Sequence, residues 1–199
     1  MGLDMSCLIV PLDAEPVRAI RADMALFSTA EEYPPFGPRF GDEVLPDISY
    51  QLLEVVSAQC RWTEVLGGRS FAKAEYLLNP ASYRAIHTWE KRERSPAYRM
   101  TRGDEPFARE GVTLERCSWR CSRSASLKRT AHTIDALDVA AVRREFSVAD
   151  MCEQGVYKAD HPDEDDEENF TEILGYLRDF ANLCHQVSGQ GLDLVFRLD

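Results

Sequence analysis

The last third of the chain constrains the fold most, because a long helical pattern there runs directly into a strand pattern. Apolar residues repeat from Phe170 to Cys184 at the three- and four-residue spacing of one helix face. Acidic residues precede this pattern, where they suit the positive end of the helix dipole. From Leu192 to Leu198 every second residue is apolar, which predicts a closing strand with one buried face.

The N-terminal residues predict a second strand. The run from Met5 to Leu12 is apolar and partly β-branched, and Asp13 follows as the expected cap of a helix. A strand at each end with helices between them predicts an α+β fold, in which several helices pack around a small sheet that includes the N-terminal and C-terminal strands. A length of 199 residues favours a single domain over residues 1–199.

The middle of the chain alternates between helical patterns and segments rich in proline and glycine. Capping residues, among them Asp138 and Ser147, and glycines set the expected boundaries of the helices. The expected elements are a loop at 31–46, helices at 47–66, 70–78, from 79 onward, 126–137, 138–146 and 147–155, and an irregular segment at 95–123 with a short strand near 112–116.

The formal net charge of −11 is unevenly placed along the chain. Residues 84–144 carry 14 Lys and Arg against 8 Asp and Glu, whereas the rest carries 9 against 26. A mixed solvated surface would explain this asymmetry, and so would a surface that steers a partner of opposite charge. A chain this acidic is a poor general nucleic-acid binder, although the basic middle keeps that function open.

Two acidic segments are the candidate partner-binding surfaces. One reading of the first segment, residues 160–168, is a solvated loop that leads into a helix. A calcium site there is disfavoured, because the glycine and the glutamate of an EF-hand loop are not in place. The other reading is a patch that binds a partner. The candidate residues are Asp160, Asp163, Glu164, Asp165, Asp166, Glu167 and Glu168 in the first segment, and Glu31, Glu32, Asp42 and Glu43 in the loop from 31 to 47.

Cysteine spacing does not favour a disulfide framework or a metal site. The six cysteines are at positions 7, 60, 117, 121, 152 and 184, and without an export signal we expect reduced, structural thiols. Cys117 and Cys121 with His132 downstream do not complete the four ligands of structural zinc. The sequence therefore predicts no metal and no cofactor.

Recognised catalytic motifs are missing from the sequence, including the nucleophile elbow, the zinc-protease helix and glycine-rich phosphate loops. His87 near Glu90 is the most suggestive pair, and with nearby arginines it would line a pocket between the middle helices and the sheet. The basic region offers a further alternative, phosphate or RNA binding by arginines interleaved with aromatic rings, unless those arginines pair within the molecule. These residues are Arg92, Arg94, Arg99, Arg102, Arg116, Arg120 and Arg123, with Trp89, Tyr98 and Trp119.

Membrane insertion and export are both disfavoured. No apolar run approaches the roughly 20 residues that cross a bilayer. The N-terminal segment contains Asp4 and no basic residue before its short apolar run, unlike a signal peptide. These features predict a cytoplasmic protein.

Several segments resemble the YfbM-like family of bacterial domains of unknown function. They are the N-terminal strand, Ile134–Leu137, Val142–Phe146, Asp150–Met151, Gly155–Tyr157, the helix from Glu168 to Leu177 and Gly191–Phe196. Residues 37–124 match the family poorly, and Lys158 follows Tyr157 where the family usually has proline.

The resemblance implies a small cytoplasmic α+β protein without established activity. Some relatives are thought to lie beside polymorphic toxins, in the position of cognate immunity proteins. Together with the charge of −11 and the lack of a catalytic signature, this predicts a non-enzymatic protein that binds a cognate toxin. The alternatives are a small-ligand protein or enzyme with a pocket lined by the middle helices, and a nucleic-acid-associated protein that uses residues 84–144. The oligomeric state stays open.

Overall fold

A computed structural model describes residues 4–22, 63–85, 89–107 and 119–198. The predicted loop residues Glu31, Glu32, Asp42 and Glu43 lie outside these ranges. The strands are β1 (Met5–Val10), β2 (Thr63–Glu64), β3 (Glu105–Pro106), β4 (Arg120–Ser122) and β5 (Asp193–Leu198). The helices are α1 (Glu15–Ala22), α2 (Phe71–Leu78), α3 (Pro80–Ala85), α4 (Trp89–Glu93), α5 (Pro96–Arg102), α6 (Ser124–Asp135), α7 (Val139–Glu145), α8 (Val148–Glu153) and α9 (Asp166–Gly189).

The two terminal strands lie side by side in the described sheet, whose order is β2-β1-β5-β4-β3. Each neighbouring pair is antiparallel, and Cys7 of β1 stands opposite Phe196 of β5. The predicted α+β architecture, with both terminal strands in one small sheet, is confirmed. The prediction of one buried face for β5 was incomplete, because residues 193–196 are buried at both faces.

Two boundary predictions in the middle of the chain were wrong. The helix expected over 47–66 cannot continue to Leu66, because Thr63 and Glu64 form β2 against β1. The segment 95–123 was expected to be irregular, but it contains α5, β3 and β4. The expected strand near 112–116 lies outside the described residues, as does most of the 47–66 segment.

The helix α9 forms the centre of the hydrophobic core. Its apolar stripe buries Ile173, Leu177 and Cys184 completely, and α6 and the sheet pack around it. Its boundaries agree with the predicted ones, because the acidic residues begin it and Gly189 is its last residue. Burial of this stripe is the main stabilising contribution of the helix, as intrinsic helix propensity is small.

Asp193 at the start of β5 connects three elements. Its Oδ2 atom accepts a hydrogen bond from the backbone N–H of Leu12 at 2.8 Å, and its Oδ1 atom accepts one from Ser124 at 2.7 Å. The carboxylate therefore satisfies a buried donor after β1 and one at the N-terminus of α6, and it joins both to β5. A carboxylate also suits the positive end of α6.

Asp165 is the N-cap of α9. The Oδ1 atom of Asp165 accepts a hydrogen bond from the backbone N–H of Glu168 at 2.8 Å. We expect Asp165→Ala to lower the free energy of unfolding by about 1 kcal/mol, the usual cost of losing an N-cap. Urea denaturation measures it, and Asp165→Asn should recover most of the loss because an asparagine also caps. Equal losses in the two variants would contradict the capping role.

Candidate functional site

The acidic segment, residues 160–168, leads from the region after α8 into the first turn of α9. Its seven predicted partner-binding carboxylates therefore lie in the connection before α9 and in the first turn of that helix. Six of the seven residues are exposed, and Asp166 is half-buried.

Two carboxylates of the acidic segment stabilise the local backbone. Asp165 caps α9 as described above, and the Oδ1 atom of Asp166 accepts a hydrogen bond from the backbone N–H of Val148 at 2.7 Å. The second bond attaches the start of α9 to the start of α8. Both side chains therefore have structural roles, which the sequence prediction did not separate from partner binding.

Two further carboxylates of this segment face basic side chains. The Oε2 atom of Glu167 lies 2.7 Å from Nε of Arg143 on α7. The Oε2 atom of Glu164 lies 4.0 Å from Nζ of Lys73, which also donates a hydrogen bond to Asn169 at 3.2 Å. These pairs neutralise part of the segment's charge, although exposed pairs contribute little to stability.

Three carboxylates remain exposed and without such a partner among the described residues. They are Asp160, Asp163 and Glu168. Their negative charge is directed to solvent and is available to a partner. This trio, called the exposed trio below, is the part of the predicted site that the structure leaves uncommitted.

An open depression of about 570 Å³ adjoins the acidic segment, and Asp160 forms part of its lining. Cys152 and residues 155–159, which include Lys158, form the rest. Burial raises the pKa of the Cys152 thiol, and the nearby Glu164 and Asp160 carboxylates raise it further. The thiol therefore stays protonated at neutral pH, which does not suit a nucleophile.

The turn beside the depression contains Lys158 in a left-handed conformation, with φ of 64°. Proline fixes φ near −65°, so a proline at this position could not form the turn. The side chain of Lys158 lies over the ring of Tyr157, with 5.7 Å from Nζ to the ring centroid. Tyr157 in turn stacks on the buried Phe71, with 5.4 Å between ring centroids.

A second group of charged residues is buried between α2, α4 and α5. Glu75 is only 2% exposed, and both its carboxylate oxygens accept hydrogen bonds from Arg92, at 2.9 Å to Nε and 3.0 Å to Nη2. Nη2 of Arg102 lies 3.5 Å from Oε2 of Glu75, the oxygen that also accepts the hydrogen bond from Nη2 of Arg92. One buried carboxylate thus serves two guanidinium groups, an arrangement called the Glu75 cluster below.

Aromatic rings enclose the two guanidinium groups of the Glu75 cluster. Arg92 lies over Tyr83 at 4.6 Å from the centroid. Arg102 lies over Phe71 at 4.4 Å and over Tyr98 at 5.0 Å. Burial lowers the pKa of Arg102. Burial acts in the same direction on Arg92, but the hydrogen bonds and the negative charge of Glu75 outweigh it, so the pKa of Arg92 is raised.

The sequence prediction for this region singled out His87 and Glu90. His87 and the side chain of Glu90 lie outside the described residues. Glu75 was missed, although a signal existed, since it is the one acidic residue in the otherwise largely apolar segment 71–78. A lone carboxylate on a helix that is buried almost all round needs a cationic partner.

Most described arginines of the basic region pair within the molecule. Arg84 lies 2.8 Å from Asp150, and Arg123 lies 2.9 Å from Asp13. Arg120 donates to two backbone carbonyls, those of residues 103 and 104. Of the interleaved aromatic residues, Tyr98 and Trp119 are buried and not placed to stack on bases, while Arg116 and the side chain of Trp89 lie outside the described residues. These observations favour intramolecular pairing.

The described cysteines are free thiols, three of them buried. Burial raises the pKa of Cys7, Cys121 and Cys184 to about 12 in each case. These thiols pack as small apolar groups, as predicted for Cys7 and Cys184. Cys60 and Cys117 lie outside the described residues.

The described part of the chain contains neither a cluster of three or more metal-ligating side chains nor a membrane-spanning helix. No group of three or more His, Cys, Asp and Glu side chains there is placed to hold a metal ion. No helix in the same ranges is long and apolar enough to cross a membrane.

Comparison with known proteins identifies a family and a related fold. The model of the family described as "Domain of unknown function (DUF1877)" matches residues 76–197. The match therefore includes part of the segment 37–124, which the sequence resemblance covered poorly. A crystal structure of YfbM from Escherichia coli, a protein of unknown function, is similar with a TM-score of 0.63 and 12% identity, covering 98% of this chain and 99% of that one. At this identity the likeness concerns the fold alone. No curated protein matches the sequence.

Proposed function

This chain belongs to the DUF1877 family, and from that premise we propose that it is a non-enzymatic protein that binds a basic protein partner through the acidic segment. The resemblance drawn from the sequence suggests the class of partner, a cognate bacterial toxin neutralised in the cytoplasm. The observation that carries the proposal is the exposed trio, Asp160, Asp163 and Glu168, whose charges have no partner among the described residues.

The arrangement around the exposed trio supports binding rather than chemistry. Carboxylates at the rim of a surface accelerate the approach of an oppositely charged partner and discriminate against acidic proteins. The adjoining depression of about 570 Å³ offers a concave surface in which a partner's basic side chain would lie near Asp160. The protonated thiol of Cys152 at this surface does not serve as a nucleophile.

The proposal is tested by co-expressing the chain with the product of the neighbouring gene. We expect a complex that survives at micromolar concentration and rescue of cells from that product's toxicity. The variant Asp160→Asn, Asp163→Asn, Glu168→Gln should weaken binding by about tenfold, chiefly through the association rate, and should reduce its salt dependence. Its Tm should stay close to wild type, because these side chains have no described internal partner.

A matched control removes the same number of charges elsewhere. Glu15, Glu64 and Asp179 are exposed and lie outside the acidic segment. The variant Glu15→Gln, Glu64→Gln, Asp179→Asn should bind within about twofold of wild type, because the long-range attraction of exposed charges outside the interface is screened at physiological salt. Equal weakening by both triple variants would assign the effect to net charge and reject the acidic segment as the interface. Absence of both a complex and rescue would reject the toxin partner.

A further inference from the structure

Two histidines from different helices lie side by side on the surface. His132 is in the last turn of α6, and His185 is near the end of α9. Both residues are exposed, and their ring centroids lie 5.6 Å apart with the ring planes inclined at 64°. The two imidazoles are therefore neighbours that a dissolved ion can reach directly from solvent.

Asp135, the last residue of α6, determines which nitrogen of His185 carries the hydrogen. Nε2 of His185 lies 2.7 Å from Oδ2 of Asp135. An ionised carboxylate only accepts hydrogen bonds, so Nε2 of the neutral imidazole donates and Nδ1 keeps its lone pair. Nδ1 of His185 and both ring nitrogens of His132 make no hydrogen bond within the described part of the chain. Each ring therefore offers one nitrogen lone pair to a ligand.

The distance between the two rings suits a shared metal ion. A zinc–nitrogen bond to histidine measures about 2.0–2.1 Å, which places the ion roughly 3.2 Å from each ring centroid. At a tetrahedral angle the two centroids would then be about 5.2 Å apart. The observed 5.6 Å exceeds this by a few tenths of an ångström. The last torsion of a histidine side chain is broad, so small rotations of these exposed rings bring one nitrogen of each onto a common ion.

We propose that His132 and His185 form a surface site for a divalent transition-metal ion of the kind that imidazole binds, such as Zn²⁺, with Asp135 as a positioning residue. A carboxylate that accepts the second N–H of a ligating histidine fixes the ring and makes it a stronger ligand. The site has two protein ligands, fewer than a cluster of three, and water completes the coordination. It lies about 25 Å along α9 from Glu168, so it is separate from the acidic segment and does not depend on the proposed partner.

Zinc titration of the wild-type chain gives the first test. We expect calorimetry with ZnCl2 to show saturable binding of one ion per chain, and MgCl2 to show none because Mg²⁺ prefers oxygen ligands. In nitrogen NMR spectra of the imidazole rings, Nδ1 of His185 and one nitrogen of His132 should shift, whereas the other two of the four histidines should not. Absence of zinc binding, or shifts confined to the other histidines, would overturn the proposal.

Variants at exposed positions locate the ion and separate the ligands from the positioning residue. Asp135→Ala should weaken zinc binding by about tenfold, and His132→Ala or His185→Ala should weaken it by more. Without zinc, Asp135→Ala should also move hydrogen from Nε2 to Nδ1 of His185, a change that a purely structural role would not produce, and Asp135→Asn should restore part of both effects because its amide oxygen accepts the same hydrogen bond. The control Gln186→Ala changes the exposed neighbour of His185 and should bind zinc like the wild type. Binding that persists in His185→Ala, or equal weakening in the control, would place the ion elsewhere and reject the site.

Discussion

The variant Glu75→Gln is expected to lower the free energy of unfolding by about 3–5 kcal/mol, the usual cost of removing one partner from a buried ion pair. The substitution retains the size of the side chain but removes its charge. The buried Arg102 and the half-buried Arg92 would then lose the carboxylate of Glu75 while aromatic rings still cover their guanidinium groups. Tm should fall by roughly 10 °C for a protein of this size.

Urea denaturation of Glu75→Gln and of a control variant measures this loss. Glu153→Gln makes the same chemical change at an exposed position and should alter stability by no more than about 0.5 kcal/mol. A Glu75→Gln variant that loses less than about 1 kcal/mol would show that the aromatic rings and solvent compensate the arginines. The Glu75 cluster would then have little importance for the fold.

The second large effect is unfolding at alkaline pH. The pKa of Cys7, Cys121 and Cys184 is raised by burial from 9.0 to about 12 in the folded protein. A group with a raised folded pKa contributes stability that is complete below the unfolded pKa and is lost as pH rises through the folded pKa. At pH 10, one unit above the pKa of the thiol in the unfolded chain, each thiol should have lowered the free energy of unfolding by about 1.4 kcal/mol.

Three such thiols together should remove about 4 kcal/mol by pH 10, a large part of the stability of a typical domain. Tyr76, whose pKa burial and the hydrogen bond to Asp150 raise from 10.0 to about 12, adds only about 0.4 kcal/mol to the loss at pH 10 and more above it. The free energy of unfolding, measured in urea under reducing conditions from pH 7 to 11, should therefore fall steeply from about pH 9.

The slope of this curve separates the thiols from other groups. Cys184→Ala should lower stability at pH 7 by leaving a small cavity, but it should also reduce the slope between pH 9 and 10 by about 1 kcal/mol per pH unit. Tyr76→Phe should change the slope in that interval by less than about 0.4 kcal/mol per pH unit. If stability is flat up to pH 10 in the wild type, the thiols are not held protonated by burial.

Local patterns predicted the elements whose signal lies within a few residues of the chain. The helix α9 was predicted because its apolar stripe repeats over several turns, and its acidic start and Gly189 mark its ends. The caps Asp138 and Ser147 were predicted because a cap acts on the backbone three residues later, and both accept those hydrogen bonds. Such signals can be read without knowledge of the fold.

The short strands could not be predicted in this way. Strands β2 and β3 contain two residues each and β4 contains three, too few to show an alternating pattern. Strands β2 and β4 exist because β1 and β5 offer unpaired edges, to which distant segments add: Cys7 pairs with Thr63, and Cys121 pairs with Val195. Strand β3 then pairs with the free edge of β4. Context of this kind overrides local preference.

For the candidate sites, the sequence by itself determined where negative charge accumulates, since residues 160–168 are acidic in any conformation. It also determined that this run precedes a helix. Only the tertiary structure decided which carboxylates are committed internally, because Arg143 and Lys73 reach Glu167 and Glu164 across long chain separations. Likewise the tertiary structure buried Glu75 with two arginines from later helices, since an ion pair depends on distance in space and on the exclusion of water, neither of which a linear pattern contains.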